Sequence, residues 1–110
     1  MDLHPGDVIL IEVQFHQMHG AKVRPAIVVL DSGDEDFVAA PVTSRSRAAE
    51  FDLTLADWQA AGLNVPSVAR VHKIAVLSKA SVRRIVGKLA ADDLVSLYAV
   101  LCRAYCPRSE

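Results

Sequence analysis

The chain has 110 residues, of which 52% are apolar and 23% are charged, and its formal net charge at pH 7 is -1. A chain of this length and apolar content can bury one hydrophobic core, so we expect a single domain over residues 1–110. The nearly balanced charge excludes attraction of nucleic acid by the overall field and leaves only local basic clusters for that purpose. No apolar run approaches the roughly 20 residues that span a bilayer, and no leader-like segment follows Met1, so we expect a cytoplasmic protein with no membrane contact.

The two cysteines, Cys102 and Cys106, lie four residues apart in a segment with a helical pattern. This spacing is typical neither of a zinc knuckle nor of a disulfide framework. We therefore expect ordinary buried or half-buried thiols, and we expect no cofactor.

The first half of the chain predicts three strands separated by polar segments. Pro25 has no amide hydrogen and restricts Arg24 to extended geometry, which favours a place at the start of a strand. Arg24 is therefore expected at a loop-to-strand junction, after a polar loop over residues 15–22. The predicted strands cover residues 8–13, 23–30 and 37–43.

The second half is less regular until its last segment. From Asp92 onward, apolar residues recur at helical spacing, and Asp92 and Asp93 suit the positive end of a helix dipole. The predicted helical face consists of Leu94, Leu97, Tyr98, Leu101 and Tyr105. Before it, the pattern predicts a short strand over 51–55, a helical turn over 57–63 that ends near Gly62, a strand or bent strand pair over 67–77, and either a helical turn or a strand over 82–89.

Several short strands followed by one amphipathic helix predict a mainly β fold with one α-helix. The arrangement that best buries these elements is a compact, mainly antiparallel barrel whose helix covers an open side.

Five segments of the chain carry a family resemblance when they are taken in order. They are Gly6-Asp7-Val8, Arg24-Pro25-Ala26-Ile27-Val28-Val29, Pro41-Val42-Thr43-Ser44, Ser67-Val68-Ala69-Arg70-Val71-His72-Lys73 and Val86-Gly87-Lys88-Leu89. Together they resemble the MazF/PemK/Kid toxins, and the likeness runs over nearly the whole chain, from about Gly6 to about Leu101. The resemblance implies an SH3-like barrel with a C-terminal helix, assembled as a homodimer that holds single-stranded RNA between facing surfaces. It also implies metal-independent RNA cleavage, in which a ribose 2′-hydroxyl attacks the neighbouring phosphate and leaves a 2′,3′-cyclic phosphate.

Arg24 and Thr43 match the catalytic arginine and threonine of that family. A guanidinium is permanently charged and can clamp a phosphate with two hydrogen bonds, which suits stabilisation of phosphoryl charge far better than proton abstraction. A threonine hydroxyl can orient the phosphate or the 2′-hydroxyl. The alternatives are an arginine that anchors a loop and a threonine that is simply a good β residue.

Arg70 and His72 are two residues apart and point to one side of an extended strand. Kid-type members have arginine and aspartate at this spacing, with acid and base roles assigned to them, and here His72 replaces the aspartate. Imidazole titrates near neutral pH and is itself a competent acid or base, so both residues are catalytic candidates. The alternative is a histidine hydrogen-bonded at the barrel rim.

Six further polar or basic residues are candidates for RNA binding. Histidines three apart in the polar loop lack a third ligand of matching character, so we expect no metal there and consider instead contacts with bases. The basic residues, with Arg47, add positive charge near Thr43 or form an ordinary solvated surface. The six are His16, His19, Lys22, Ser44, Arg45 and Lys73.

Two rival functions share this fold. One is a CcdB-like toxin that binds a protein target without cutting RNA, and the other is a barrel that only binds nucleic acid or protein. The presence of Arg24 and Thr43 at their motif positions favours the endoribonuclease. The resemblance further implies a cognate antitoxin with an acidic, partly disordered tail that neutralises the RNA groove.

Overall fold

The computed structural model describes residues 2–14, 20–45 and 49–107, so the predicted loop residues His16 and His19, and Arg47, lie outside the described part. Short 3-10 helices occupy Val71–Lys73 and Lys79–Ser81. The strands are β1 (Asp7–Gln14), β2 (Ala21–Leu30), β3 (Asp36–Thr43), β4 (Asp52–Thr54), β5 (Val68–Arg70), β6 (Ala75–Ser78) and β7 (Val82–Lys88), and the helix is α1 (Ala91–Tyr105).

The strands form one antiparallel sheet in the order β4-β5-β3-β2-β1-β7, with β6 attached to β3. The long strand β3 has two partners along the same edge, because Asp36–Ala39 pair with β6 whereas Val42 and Thr43 pair with β5. Register shifts between β1 and β7 bend the sheet at its other end. The predicted mainly β, barrel-like fold with a C-terminal helix is confirmed.

Alternate residues of the central strands supply two hydrophobic clusters, since side chains of a strand point to opposite faces in turn. In β1, Val8 belongs to one cluster whereas Ile9 and Ile11 belong to the other, and in β2 Ile27 lies between two residues of the second cluster. The helix α1 covers the first cluster through Leu97 and Val100, which are buried. The helix therefore closes one side of the curved sheet.

The predicted terminal helix is confirmed, but its buried face is rotated from the predicted one. Val100 is buried, whereas Tyr98 and Tyr105 are 42% and 50% exposed. Both tyrosine hydroxyls donate to backbone oxygens, at 3.4 Å to Val29 and 2.9 Å to Val71. A tyrosine has an apolar ring and a polar hydroxyl, so it can lie at the edge of a packed face and donate a hydrogen bond there. Helical spacing alone therefore predicted more burial for the two tyrosines than the structure has.

Asp93, in the first turn of α1, forms hydrogen bonds in addition to its favourable position at the helix dipole. The buried Asp93 carboxylate accepts the backbone amides of Ala56 and Asp57, at 3.1 Å and 2.9 Å. These charge-assisted bonds tie the turn after β4 to the helix.

Strand β2 begins at Ala21, so the prediction that Arg24 lies at a loop-to-strand junction is wrong. Arg24 lies inside β2 and pairs with Ile11. Pairing of β2 with β3 begins only at Ala26. Pro25 therefore lies where one side of β2 lacks a partner among the described strands, which is why the missing amide is tolerated there.

Three other local predictions have different outcomes. The helical turn predicted over 57–63 is present, because the backbone amide of Ala61 donates to the Asp57 carbonyl oxygen, and it ends at Gly62, which has φ +87°. The segment 71–73 is a 3-10 helix that interrupts the predicted strand, and of the two conformations predicted for 82–89 the structure has the strand, β7. Backbone periodicity in segments this short does not separate a turn from a strand, because tertiary pairing decides between them.

Cys102 and Cys106 are exposed, so the expectation of buried or half-buried thiols is wrong. Their sulfur atoms lie 3.1 Å apart at the end of α1. The hydrogen bond with Cys102 raises the pKa of the Cys106 thiol.

Candidate active site

An open cavity of about 740 Å³ lies beside the end of β3 and the middle of β1, β2 and β7. Strand β2 contributes Arg24 and Pro25, β3 contributes Val42 and Thr43, and Ser44 and Arg45 follow directly. The opposite wall is formed by the loop between β4 and β5 and by β7. From these two elements come Gly62, Leu63, Asn64, Val65, Ser67, Arg84, Ile85 and Val86.

The sheet register explains why distant parts of the sequence meet at this cavity. Leu10, at the cavity, pairs with Pro25 on one side and with Arg84 on the other. Two strand spacings, about 10 Å, therefore separate the backbones of Pro25 and Arg84. Pro25, Leu10 and Arg84 therefore form one row across the sheet at the cavity.

Two glycines fix the loop wall of the cavity against β7. Gly62 has φ +87°, and a Cβ atom added there would lie 2.4 Å from the Val86 carbonyl oxygen. A Cβ atom added to Gly87 would lie 2.2 Å from the Ala61 carbonyl oxygen. The two backbones approach so closely only because neither glycine has a side chain.

The arginines of the described residues divide into two groups. Arg70, Arg83 and Arg103 each donate to a protein oxygen. No described residue forms a hydrogen bond or ion pair with the side chains of the other three, and those three all line the cavity. They are Arg24, Arg45 and Arg84, and all three are exposed. An arginine without a protein partner keeps its donors available for a ligand anion.

Thr43 has a fixed orientation at the cavity. Its Oγ1 accepts the backbone amide of Arg45 at 3.1 Å, which closes a short turn at the end of β3. That bond uses a lone pair and leaves the hydroxyl hydrogen available to a ligand oxygen.

The described cavity-lining residues contain no carboxylate, histidine, lysine or cysteine. Three arginines and several neutral donors therefore line the cavity, and none of the described lining residues carries a negative charge. This wall can bind and stabilise a phosphate, but it provides no ordinary proton acceptor. Nor do the described residues contain a group of three or more histidine, cysteine or acidic side chains able to hold a metal ion.

Arg70 and His72 come together as predicted, but beside Asp52 and not among the described residues that line the cavity. The Asp52 side chain is only 4% exposed, and its Oδ1 accepts Arg70 Nε at 3.1 Å. His72 Nε2 lies 3.4 Å from the Arg70 guanidinium, and its buried Nδ1 lies 3.9 Å from Asp52 Oδ1. Because arginine can only donate, Nε2 is the acceptor in the Arg70 contact, which places the neutral ring's hydrogen on Nδ1.

Of the remaining predicted residues, some line the cavity and others do not. Ser44 and Arg45 line the cavity with Arg24 and Thr43, whereas the exposed Lys22 and Lys73 are not among the lining residues. Sequence reasoning missed Asn64, Ser67 and Arg84. The only signal for Arg84 was its place in a strand of uncertain type, and the pairing with Leu10 cannot be read from local pattern.

In the described part of the chain, no helix combines the length and apolar character needed to cross a membrane.

Comparison with known proteins identifies a family and a set of similar folds. Residues 4–105 match the family described as PemK-like, MazF-like toxin of type II toxin-antitoxin system. No curated protein matches the sequence.

Solved structures of similar fold come from several bacteria. A mycobacterial endoribonuclease in complex with its cognate antitoxin shares 16% identity at a TM-score of 0.73, over 98% of this chain and 100% of that chain. MazF in a MazE-MazF complex from Deinococcus radiodurans shares 24% identity at a TM-score of 0.74, over 90% and 91%. MazF of the same organism, in another crystal form, shares 26% identity at a TM-score of 0.65, over 93% and 96%. The family match over nearly the whole length establishes that the chain belongs to the PemK-like, MazF-like toxins of type II toxin–antitoxin systems.

Proposed function

We propose that this toxin is an endoribonuclease that cleaves single-stranded RNA without a metal ion. The observation that carries the proposal is a cavity lined by Arg24, Arg45 and Thr43 in which none of the described lining residues has a carboxylate. A phosphodiester is an anion, and its cleavage places additional negative charge on the phosphoryl oxygens. Guanidinium groups that pair with no described residue are suited to that charge, and no carboxylate among the described lining residues would repel it.

In the proposed reaction, the ribose 2′-oxygen attacks the adjacent phosphorus and the 5′-oxygen of the next nucleotide leaves. A 2′,3′-cyclic phosphate and a 5′-hydroxyl result, and no water or metal ion enters the balance. Arg24 stabilises the charge that grows on the phosphoryl oxygens. Thr43, held by the Arg45 amide, donates its hydroxyl hydrogen to the phosphate and orients it, and Ser44 and Arg45 bind the backbone on either side.

The reaction also requires an acceptor for the 2′-hydroxyl proton and a donor for the leaving oxygen. The candidates are His72, with Arg70, and the loop residues His16 and His19. The Nε2 atom of His72 is used by Arg70, and the pair lies beside Asp52. This contact supports a proposal in which Arg70 and His72 keep the barrel rim in place and a histidine of the 15–19 segment acts as the base.

The pH dependence of the reaction distinguishes these assignments. We expect His72→Ala to keep the acidic limb of the pH–rate profile of wild type, because the lone pair on Nε2 is already used in the contact with Arg70. Single-turnover cleavage rates between pH 5 and 9 measure this, with His16→Ala and His19→Ala as parallel variants. Loss of the acidic limb in His72→Ala alone would assign the proton transfer to His72.

The partners proposed for this chain follow from its family. The mycobacterial endoribonuclease forms a complex with its cognate antitoxin, and the Deinococcus structure is a MazE-MazF complex. We propose a cognate antitoxin whose acidic segment occupies the arginine-lined cavity, a homodimer as the RNA-binding unit, and action in the cytoplasm.

The proposal is tested by incubating the purified chain with single-stranded RNA of mixed sequence in excess EDTA, with DNA of the same sequence as control. We expect cleavage of RNA at a short preferred sequence and no cleavage of DNA, because the nucleophile is the 2′-hydroxyl. A folded protein that cuts neither would favour the rival function of a CcdB-like toxin that binds a protein target.

A further inference from the structure

The wall of the cavity opposite Arg24 has the features of a second binding site for part of a nucleotide. Arg84 and Asn64 are exposed at this wall and flanked by exposed apolar side chains, Val65 at 48% and Ile85 at 44%. We infer that Arg84 binds the phosphate next to the scissile one and that Asn64 reads the adjoining base. This inference rests on the proposed function and adds a specificity-determining subsite to it.

An arginine that binds a ligand needs donors that no protein group uses, and Arg84 differs from the adjacent Arg83 in this property. The adjacent Arg83 is also exposed on β7, but it pairs with Glu12 at 3.3 Å. Arg84 pairs with no described residue and lines the cavity. Arg84 pairs with Leu10, whose other partner is Pro25, so two strand spacings, about 10 Å, separate the Arg84 backbone from β2, the strand that contributes Arg24 to the same cavity.

Asn64 lies on a loop that is fixed at both ends. Gly62 contacts the β7 backbone at Val86, and the buried Ser67 donates its hydroxyl to the Val65 carbonyl oxygen at 2.8 Å. A carboxamide both donates and accepts hydrogen bonds, so it can distinguish the donor and acceptor patterns on the edges of unpaired bases. The neighbouring Val65 and Ile85 offer an apolar surface for the base itself.

The phosphate contact is tested by binding, independently of cleavage. Binding of a mixed-sequence, fully 2′-O-methylated RNA, which lacks the nucleophile, is measured by fluorescence anisotropy from 20 to 300 mM salt. Arg84→Ala is expected to weaken binding at least about 10-fold at low salt. It should also lower the slope of log affinity against log salt by about 0.7, the value for one lost phosphate contact on a single strand.

Arg83→Ala is the matched control, since it removes the same charge from the adjacent residue, and we expect its slope to equal that of wild type. Equal slopes for Arg84→Ala and Arg83→Ala would overturn the phosphate assignment, even where the wild type cleaves RNA. If the slopes of the two variants differ as expected but the wild type cleaves no RNA, the result would support the subsite and would overturn the proposed endoribonuclease activity.

The base contact is tested by the cleavage pattern. Asn64→Ala is expected to lose discrimination at one position of the preferred sequence, by about 10-fold, while cutting at the same phosphate. Unchanged preference at every position would overturn the base-reading assignment.

Discussion

Replacing Arg24 with alanine is expected to lower the rate of RNA cleavage about 1000-fold. The Arg24 side chain is exposed, lines the cavity and makes no ion pair or hydrogen bond with any described residue. Its loss should therefore remove stabilisation of the transition state without weakening the fold. Single-turnover rates with saturating RNA, together with urea unfolding, separate the two effects.

Arg24→Lys and Arg83→Ala are the controls for this experiment. Lysine keeps the charge but loses the two-pronged geometry, so we expect it to recover only part of the lost rate. Arg83→Ala removes an equal charge from a surface ion pair and should cut RNA within a few-fold of wild type. If Arg24→Ala cleaved RNA within about 10-fold of wild type, another group would have to stabilise the phosphoryl charge.

Replacing Gly87 with alanine is expected to destabilise the protein by about 3 kcal/mol and to disrupt the cavity wall. The added Cβ would lie 2.2 Å from the Ala61 carbonyl oxygen and 3.1 Å from the Gly62 amide nitrogen. Both are backbone atoms, so no side chain can rotate away, and either β7 or the loop before β5 must move. Arg84 and Asn64 lie on those two elements, so RNA affinity should fall together with stability.

The matched control for Gly87→Ala is Gly33→Ala. Gly33 has φ +95° but no heavy atom within 4 Å of an added Cβ, so the expected cost is about 1 kcal/mol from backbone strain alone. Urea unfolding at one fixed protomer concentration compares the variants, because association would otherwise shift the midpoints. A smaller loss in Gly87→Ala than in Gly33→Ala would contradict the close approach of the two backbones.

The spacing of apolar residues predicted the long strands and the helix, because that spacing determines which of their side chains are buried. The strands around Val8, Ile27 and Val38 alternate or run apolar because the sheet is covered on both faces, and the spacing of Leu94, Leu97 and Leu101 predicted α1. The 3-10 helix at 71–73 was not predicted, and for 82–89 the pattern left a helical turn and a strand open, because tertiary contacts and not periodicity decide the conformation of segments this short.

The residues of the candidate site also divide into those that local sequence predicted and those that it did not. The motif predicted Arg24 and Thr43, and both line one cavity. Arg84 was missed because its place at the cavity depends on the pairing of β7 with β1, in which Arg84 lies opposite Leu10. Leu10 is remote in sequence, so this pairing cannot be predicted from local pattern. Arg70 and His72 form a pair as their spacing predicts, but the buried Asp52 that accepts a hydrogen bond from Arg70 lies 18 residues before it and had no recognisable signal.

The chemistry of the RNA ends tests the central claim, a metal-free attack by the 2′-hydroxyl in a cavity built on Arg24 and Thr43. RNA that contains the preferred sequence is cut in EDTA, and the products are analysed by mass spectrometry beside an RNA with one 2′-deoxyribose at the cleaved position. We predict a 2′,3′-cyclic phosphate and a 5′-hydroxyl from the first RNA and no cut at that position in the second. Cleavage of the deoxy-substituted RNA at the same phosphate, or a requirement for a divalent cation, would contradict the account.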